Sequence, residues 1–222
     1  MRVHKRRRIS RQKDTTLFNS FVADIPASKA AEIVSVNRKT ADRYYSVFRE
    51  AILIDAIQER LKANLKNGIE VDESYFGPKR VRGKRGRGAG KKIVVLGLLK
   101  RQGSVYTQII RSTEKDEVMP IIKKVVASGS DIYSDGWRSY DALAVYGYNH
   151  KKVKHSENEF AREDGTHING VESYWSWVKR RLAQFNGILK TQFAKHMLES
   201  EWRFNHRDKL SADLKRLLRK LS

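Results

Sequence analysis

The 222-residue chain contains no cysteine, which excludes disulfide frameworks, thiolate zinc sites and cysteine nucleophiles and permits a reducing compartment. With only 3 prolines against 14 glycines, it is neither collagen-like nor a proline-rich extended chain. No run of about 18 apolar residues occurs, so no membrane-spanning helix is expected. The basic start from Met1 to Lys13 lacks the apolar segment of a secretory signal. The expectation is a soluble cytoplasmic protein with no membrane partner. Acidic residues are also scarce. Against 25 Asp and Glu stand 46 Lys and Arg, a formal net charge of +21 spread along the whole chain. That excess suits a polyanion, because each neutralised phosphate releases condensed counterions. Hydrophobic residues reach 40%, and a chain of this length can bury roughly 70% of its unfolded surface without covalent staples.

Along the chain, His4, Lys5, Arg6, Arg7, Arg8, Arg11 and Lys13 crowd like charges, and residues 1–18 read as a basic flexible arm. From Phe21 the pattern becomes helical. Ile25-Pro26-Ala27-Ser28 is a helix start, and Ala30, Ala31, Ile33 and Val34 form an apolar stripe. Val36-Asn37-Arg38 can turn tightly, and Thr40, Arg43, Tyr44 and Tyr45 open a second helix with side chains suited to phosphates and base edges. This outlines a helix-turn-helix-like DNA-binding domain over 19–66. A plain helical bundle is the structural alternative.

At Gly68 the chain switches to extended patterning. Residues 69–76, 92–99 and 105–110 read as three strands of an antiparallel meander. Val118, Ile121, Ile122, Val125 and Val126 follow helical spacing, and Asp131-Ile132-Tyr133-Ser134 is a short strand ending at Asp135. After a short helix and a polar stretch from Asn149 to Gly165, a long helix runs through Val171, Tyr174, Trp175, Val178 and Leu182. Strand-strand-strand-helix-strand followed by helices is the order of an α/β, RNase H-like mixed sheet flanked by helices.

The acids carry the chemistry. Asp72 sits in mid-strand, where burying an unpaired carboxylate is costly, so a cation is expected to offset it. Asp135 ends a strand expected to lie beside the first, although an Asp before Gly136 can also simply cap a turn. Glu172 shares a helix face with Ser176 and Lys179. Converging, Asp72, Asp135 and Glu172 would be hard oxygen ligands for Mg²⁺. Two ions about 3.5–4 Å apart could activate an attacking oxygen and stabilise a leaving one.

Three segments carry a resemblance. Val71-Asp72-Glu73-Ser74-Tyr75-Phe76-Gly77, Tyr133-Ser134-Asp135-Gly136-Trp137-Arg138-Ser139-Tyr140 and His167-Ile168-Asn169-Gly170-Val171-Glu172-Ser173-Tyr174-Trp175 resemble the catalytic blocks of bacterial insertion-sequence DDE transposases, in the group related to eukaryotic Merlin elements. Between Asp135 and Glu172 lie 36 residues, and Lys179 follows Glu172 by seven, both in keeping with that family. The resemblance covers residues 69–208. It implies an RNase H-like catalytic domain over 67–208 and two Mg²⁺ ions, with Mn²⁺ as a possible substitute. It further implies cleavage of transposon ends by water and transfer of the 3′-hydroxyl strand to target DNA. The partner is then double-stranded DNA, as terminal inverted repeats and target, held by a homodimer or larger assembly in the bacterial nucleoid. Asp72, Asp135 and Glu172 become the catalytic and metal-binding residues, Asn169 an alternative third ligand, and Lys179 a contact to DNA phosphate. Some relatives carry a Cys-based zinc ribbon, which this chain lacks.

Between the first two strands, Lys79, Arg80, Arg82, Lys84, Arg85, Arg87, Lys91 and Lys92 alternate with glycines. This loop reads as a DNA clamp, with Lys84, Arg85 and Arg87 at its centre and Arg43 as a further DNA contact. Glu73 reads as a solvated neighbour on the opposite strand face, and His167 as a helix start or an aid near the scissile phosphate. Trp137, Tyr140, Trp175 and Trp177 read as packing aromatics, though an exposed one could stack on an unpaired base. Residues 209–222 form a C-terminal helix that packs on the catalytic domain or on a second protomer. Two other functions fit the composition: a non-catalytic DNA-binding regulator, and an RNase H-like nuclease without strand transfer.

Overall fold

The computed structural model describes residues 9–77, 92–135, 140, 142–153, 167–185 and 187–220. In chain order the elements are α1 (Arg11–Val22), α2 (Ala27–Val34), α3 (Arg38–Leu61), β1 (Ile69–Phe76), β2 (Ile93–Lys100), β3 (Val105–Ile110), α4 (Lys115–Val125), β4 (Asp131–Asp135), β5 (Asn149–Val153), α5 (Asn169–Ala183), α6 (Lys190–Asn205) and α7 (Leu210–Lys220). They form two compact units, one of Met1–Leu61 with Arg181–Ser222, the other of Lys62–Arg180. Among the described residues no helix is long and apolar enough to cross a membrane.

The first unit is helical. Residues 11–18, expected as part of a flexible arm, instead belong to α1. Ser10 caps it by accepting from the Lys13 N–H, and Leu17, Phe18 and Phe21 sink one face into the core, which outweighs the repulsion of neighbouring cations. After α2, Ser35 adopts a left-handed conformation with φ of 51° and turns the chain into α3, so the expected helix, turn and second helix are all present. The exception is Tyr44 and Tyr45, read as groups for phosphates and base edges. Both are buried at 5% and 1% exposure, and Tyr45 donates its hydroxyl to the Ile25 carbonyl at 2.9 Å. Ala41, Tyr44, Tyr45, Phe48, Ala51 and Ile52 repeat at helical spacing, and that stripe faces inward. Arg43 lies off it and is exposed. Trp202 of α6 and Leu214, Leu217 and Leu218 of α7 complete the same core. The helix expected over residues 209–222 therefore packs with α1, α3 and α6.

Charge is buried here too. The Glu199 carboxylate accepts from Arg181 at 2.7 Å, Arg203 at 2.9 Å and Arg49 at 2.9 Å, while Asp24 meets Arg181 at 2.9 Å. Arg203 also donates to the Phe21 carbonyl at 2.9 Å, so Glu199 ties α6 to α3 and Arg203 ties it to the end of α1.

The second unit is a five-stranded sheet in the order β3-β2-β1-β4-β5. β1 pairs antiparallel with β2 and β2 with β3, while β1 with β4 and β4 with β5 are parallel. This mixed topology, with helices packed on it, is the RNase H-like fold. One face carries Ile69, Val71, Leu96, Leu98 and Ile132 against Val118, Ile122 and Val125 of α4. The edge strand β5 falls in the stretch read as merely polar. Its sequence Asn-His-Lys-Lys-Val shows no apolar alternation because an edge strand faces solvent along most of its length.

Candidate active site

β1 occupies the middle of the sheet, and its register with β4 runs Ile69 to Ile132, Glu70 to Tyr133 and Val71 to Ser134. Asp72 and Asp135 are the next residues along these two strands, which sets the two carboxylates side by side on one face. Side-chain alternation puts Glu70 on that face as well, and the antiparallel partner of Asp72 is Gly97. The Trp175 indole of α5 lies on Gly97 so closely that an added Cβ would come within 2.5 Å of it. Phe76 braces the indole edge-on at 5.9 Å. α5 therefore covers the face that carries the aspartates.

Glu172 lies in the first turn of α5, one residue after buried Val171 and three before Trp175, with its side chain exposed. Asn169, the alternative ligand, is the first residue of α5 and is also exposed. Lys179 is exposed, with its ammonium 5.9 Å from the centroid of the Phe76 ring. The structure thus brings Asp72 and Asp135 together on adjacent strands, and Glu172 onto the helix above them. Among the described residues, the three donors that lie within 4.8 Å of one another are Asp55, Glu59 and His206, not these three carboxylates. Lys84, Arg85, Arg87 and Trp137 lie outside the described residues.

Glu73 differs from its expectation as a solvated neighbour. It does lie on the opposite face, paired with the core residue Leu96, but it is half-buried and accepts a hydrogen bond from the Tyr140 hydroxyl. Burial pushes its carboxyl up to about 7, the Tyr140 hydrogen bond works against this, and the charges of Asp72 and Asp135 add to the rise. The same three acids, after burial itself, raise the Tyr140 hydroxyl. Negative charge is therefore concentrated around the middle of β1 and the end of β4, in a chain that is otherwise strongly basic. Tyr140 and Trp175 are buried, which rules out the base-stacking role considered for them.

Two groups of polar residues escaped the sequence reading. Glu70, Arg101 and the His167 carbonyl are joined by hydrogen bonds. In the helical unit, His206 bridges Glu59 at 2.9 Å and Asp213 at 2.8 Å while stacking on Trp202. Burial opposes protonation of His206, but the hydrogen bonds to Glu59 and Asp213 outweigh it and raise its pKa. The Asp55 carboxylate accepts from the Trp202 indole at 3.0 Å. These donors are engaged with one another and with Trp202, and the only advance signal was the charged residues left on the apolar face of a helix.

The ISXO2-like transposase domain model matches residues 64–205. An uncharacterized transposase-like protein of Haemophilus influenzae (strain ATCC 51907 / DSM 11121 / KW20 / Rd) is 40% identical over 102 residues, which span 46% of this chain and 81% of that protein. Among solved structures, the Mos1 strand transfer complex aligns over 98% of this chain and 81% of its own at 13% identity and a TM-score of 0.33. The Mos1 transposase paired-end complex with left transposon end aligns over the same shares at 13% identity and a TM-score of 0.31. With its matched segment spanning the whole described sheet and α5, the chain belongs to the ISXO2-like transposase family, the insertion-sequence DDE transposases.

Proposed function

We propose that this protein is a Mg²⁺-dependent DNA transposase that cleaves the ends of its element and joins the 3′-hydroxyl strand to target DNA. The observation that carries this reading is the placement of Asp72 and Asp135 next to each other on β1 and β4 in a transposase-family chain. Their hard carboxylate oxygens suit Mg²⁺, and the upward push they give Glu73 marks the concentrated charge that a cation would relieve. Asp72, Asp135 and Glu172 would hold the ions, with Asn169 as the alternative to Glu172. When bound, two such ions supply an activated oxygen nucleophile and stabilise the leaving oxygen.

The chain's own residues would do the rest. Trp175 and Phe76 exclude water from the covered face, and Lys179 can hold a DNA phosphate at its edge. Exposed Arg43 on α3 contacts the duplex, and Lys84, Arg85 and Arg87 add phosphate contacts. Double-stranded DNA is the partner, two copies of the chain hold two ends, and the site of action is the nucleoid.

The test is incubation with labelled DNA from the flanks of its own gene plus Mg²⁺. Asp72→Ala and Asp135→Ala should abolish cleavage and retain duplex binding. Retained cleavage in either variant would overturn the assignment. Nicked products that never join target DNA would identify a nuclease without strand transfer.

A further inference from the structure

Two residues before Asp72, Glu70 presents a carboxylate that is only 1% exposed. Burying such a charge is costly unless partners converge on it, and here they do. Oε2 accepts the Val171 N–H at 2.9 Å, and Oε1 accepts from Arg101 Nε at 3.1 Å. Arg101 donates onward to the His167 carbonyl at 2.7 Å, and its guanidinium lies 3.6 Å from the centroid of the Tyr133 ring on β4. His167 Nδ1 stands 3.5 Å from Oε1, beyond a good hydrogen bond. One buried carboxylate thus ties β1, the end of β2 and the entry to α5 together.

The contact to α5 has a specific character. The first N–H groups of a helix have no partner inside it, and Val171 is the third residue of α5. Glu70 therefore caps the helix from the sheet, and its negative charge complements the positive end of the helix dipole. Gly170 is what lets the turn descend this far. A Cβ there would meet Glu70 Oε2 at 2.8 Å and Leu99 Cδ2 at 3.0 Å. Glu172 follows directly on the residue that Glu70 holds.

We propose that Glu70 is the positioning residue for Glu172: by fixing the first turn of α5 on β1, it sets where Glu172 stands relative to Asp72 and Asp135. Its two oxygens are taken by Val171 and Arg101, so its action on Glu172 runs through the helix. The inference rests on the reading of Asp72, Asp135 and Glu172 as the metal-binding set.

The experiment uses the full chain with Glu70→Ala, Glu70→Gln and Glu172→Ala, and Asp72→Ala as control. Amide exchange should rise roughly tenfold over residues 168–175 in Glu70→Ala, the equivalent of one lost hydrogen bond. Exchange over 93–100 and 115–125 should stay as in the wild type. Mn²⁺ binding, followed through the free-ion EPR signal, should weaken about 10- to 100-fold. In the Glu172→Ala background Glu70→Ala should add no further loss. Glu70→Gln, whose carbonyl still accepts from Val171, should recover part of both effects, and it carries the test if the alanine variant does not fold. Unchanged exchange over 168–175, wild-type Mn²⁺ affinity, or a fully additive loss with Glu172→Ala would each overturn the proposal. If Asp72→Ala loses Mn²⁺ binding while the Glu70 variants do not, the positioning role alone fails. If Asp72→Ala binds Mn²⁺ and cleaves like the wild type, the metal-site reading falls with it.

Discussion

Replacing Glu199 by Gln should destabilise the helical unit more than any surface change could. Its side chain is 1% exposed, and the Arg181 and Arg203 side chains beside it are 2% and 3% exposed. Burial alone would raise its pKa, but Arg181, Arg203 and Arg49 outweigh burial and hold the carboxyl at about 2 against a usual 4.5. At 1.36 kcal/mol per pH unit this difference corresponds to about 3 kcal/mol. Because the folded pKa is the lower one, that stabilisation is present above about pH 4.5 and is lost as pH falls towards 2. The Gln variant keeps the shape but leaves two buried guanidiniums with Asp24 as their remaining acid, and removing one partner of a buried cluster costs about 3–5 kcal/mol. Urea unfolding at pH 7, followed by far-UV circular dichroism, measures the loss. Repeating it between pH 4.5 and 2 should show the wild type converging on the variant. A variant within about 1 kcal/mol of the wild type at pH 7, or parallel pH dependences, would refute the reasoning.

Gly97→Ala forces a Cβ to within 2.5 Å of the Trp175 ring and should cost about 1–3 kcal/mol by overpacking, read as a lower melting temperature; an unchanged one would show that the indole can retreat. Tyr140→Phe removes a hydrogen bond that lowers the Glu73 carboxyl, so the Glu73 titration in metal-free protein, followed by carboxyl ¹³C NMR, should move above about 7. Arg43→Ala should weaken duplex binding and reduce the slope of log K against log salt by about 1, whereas Tyr45→Phe should leave binding unchanged and cost about 1 kcal/mol of stability through the lost bond to Ile25.

Much of the sheet was legible because its strands obey simple patterns. Residues 69–76 and 105–110 were read with the bounds the structure gives them, and Asp72 and Asp135 fell on adjacent strands as the element order implied. β5 was missed because an edge strand of lysines and histidine carries no burial signal. α1 is hard to see in the sequence because the cations between residues 4 and 13 oppose compact packing, whereas Leu17, Phe18 and Phe21 supply the apolar face that packs the segment. Tyr44 and Tyr45 were misread through their type, although their three- and four-residue steps from Ala41 and Phe48 already placed them inside. The role of Glu70 was invisible, since its partners Arg101, His167 and Val171 lie 31, 97 and 101 positions away, and only pairing in the folded sheet brings them to one carboxylate.

The helical unit draws on two stretches of sequence that flank the sheet unit, and this imposes an order on its folding. When the ribosome has released the chain as far as Arg180, the sheet unit is complete, while α1, α2 and α3 still await Trp202, Leu214, Leu217 and Leu218 to close their core. The helices that precede the sheet unit in the sequence thus complete their core only after it. A product truncated before Trp202 would keep every residue of the sheet unit yet leave the apolar faces of α1, α2 and α3 uncovered, a ready substrate for proteases.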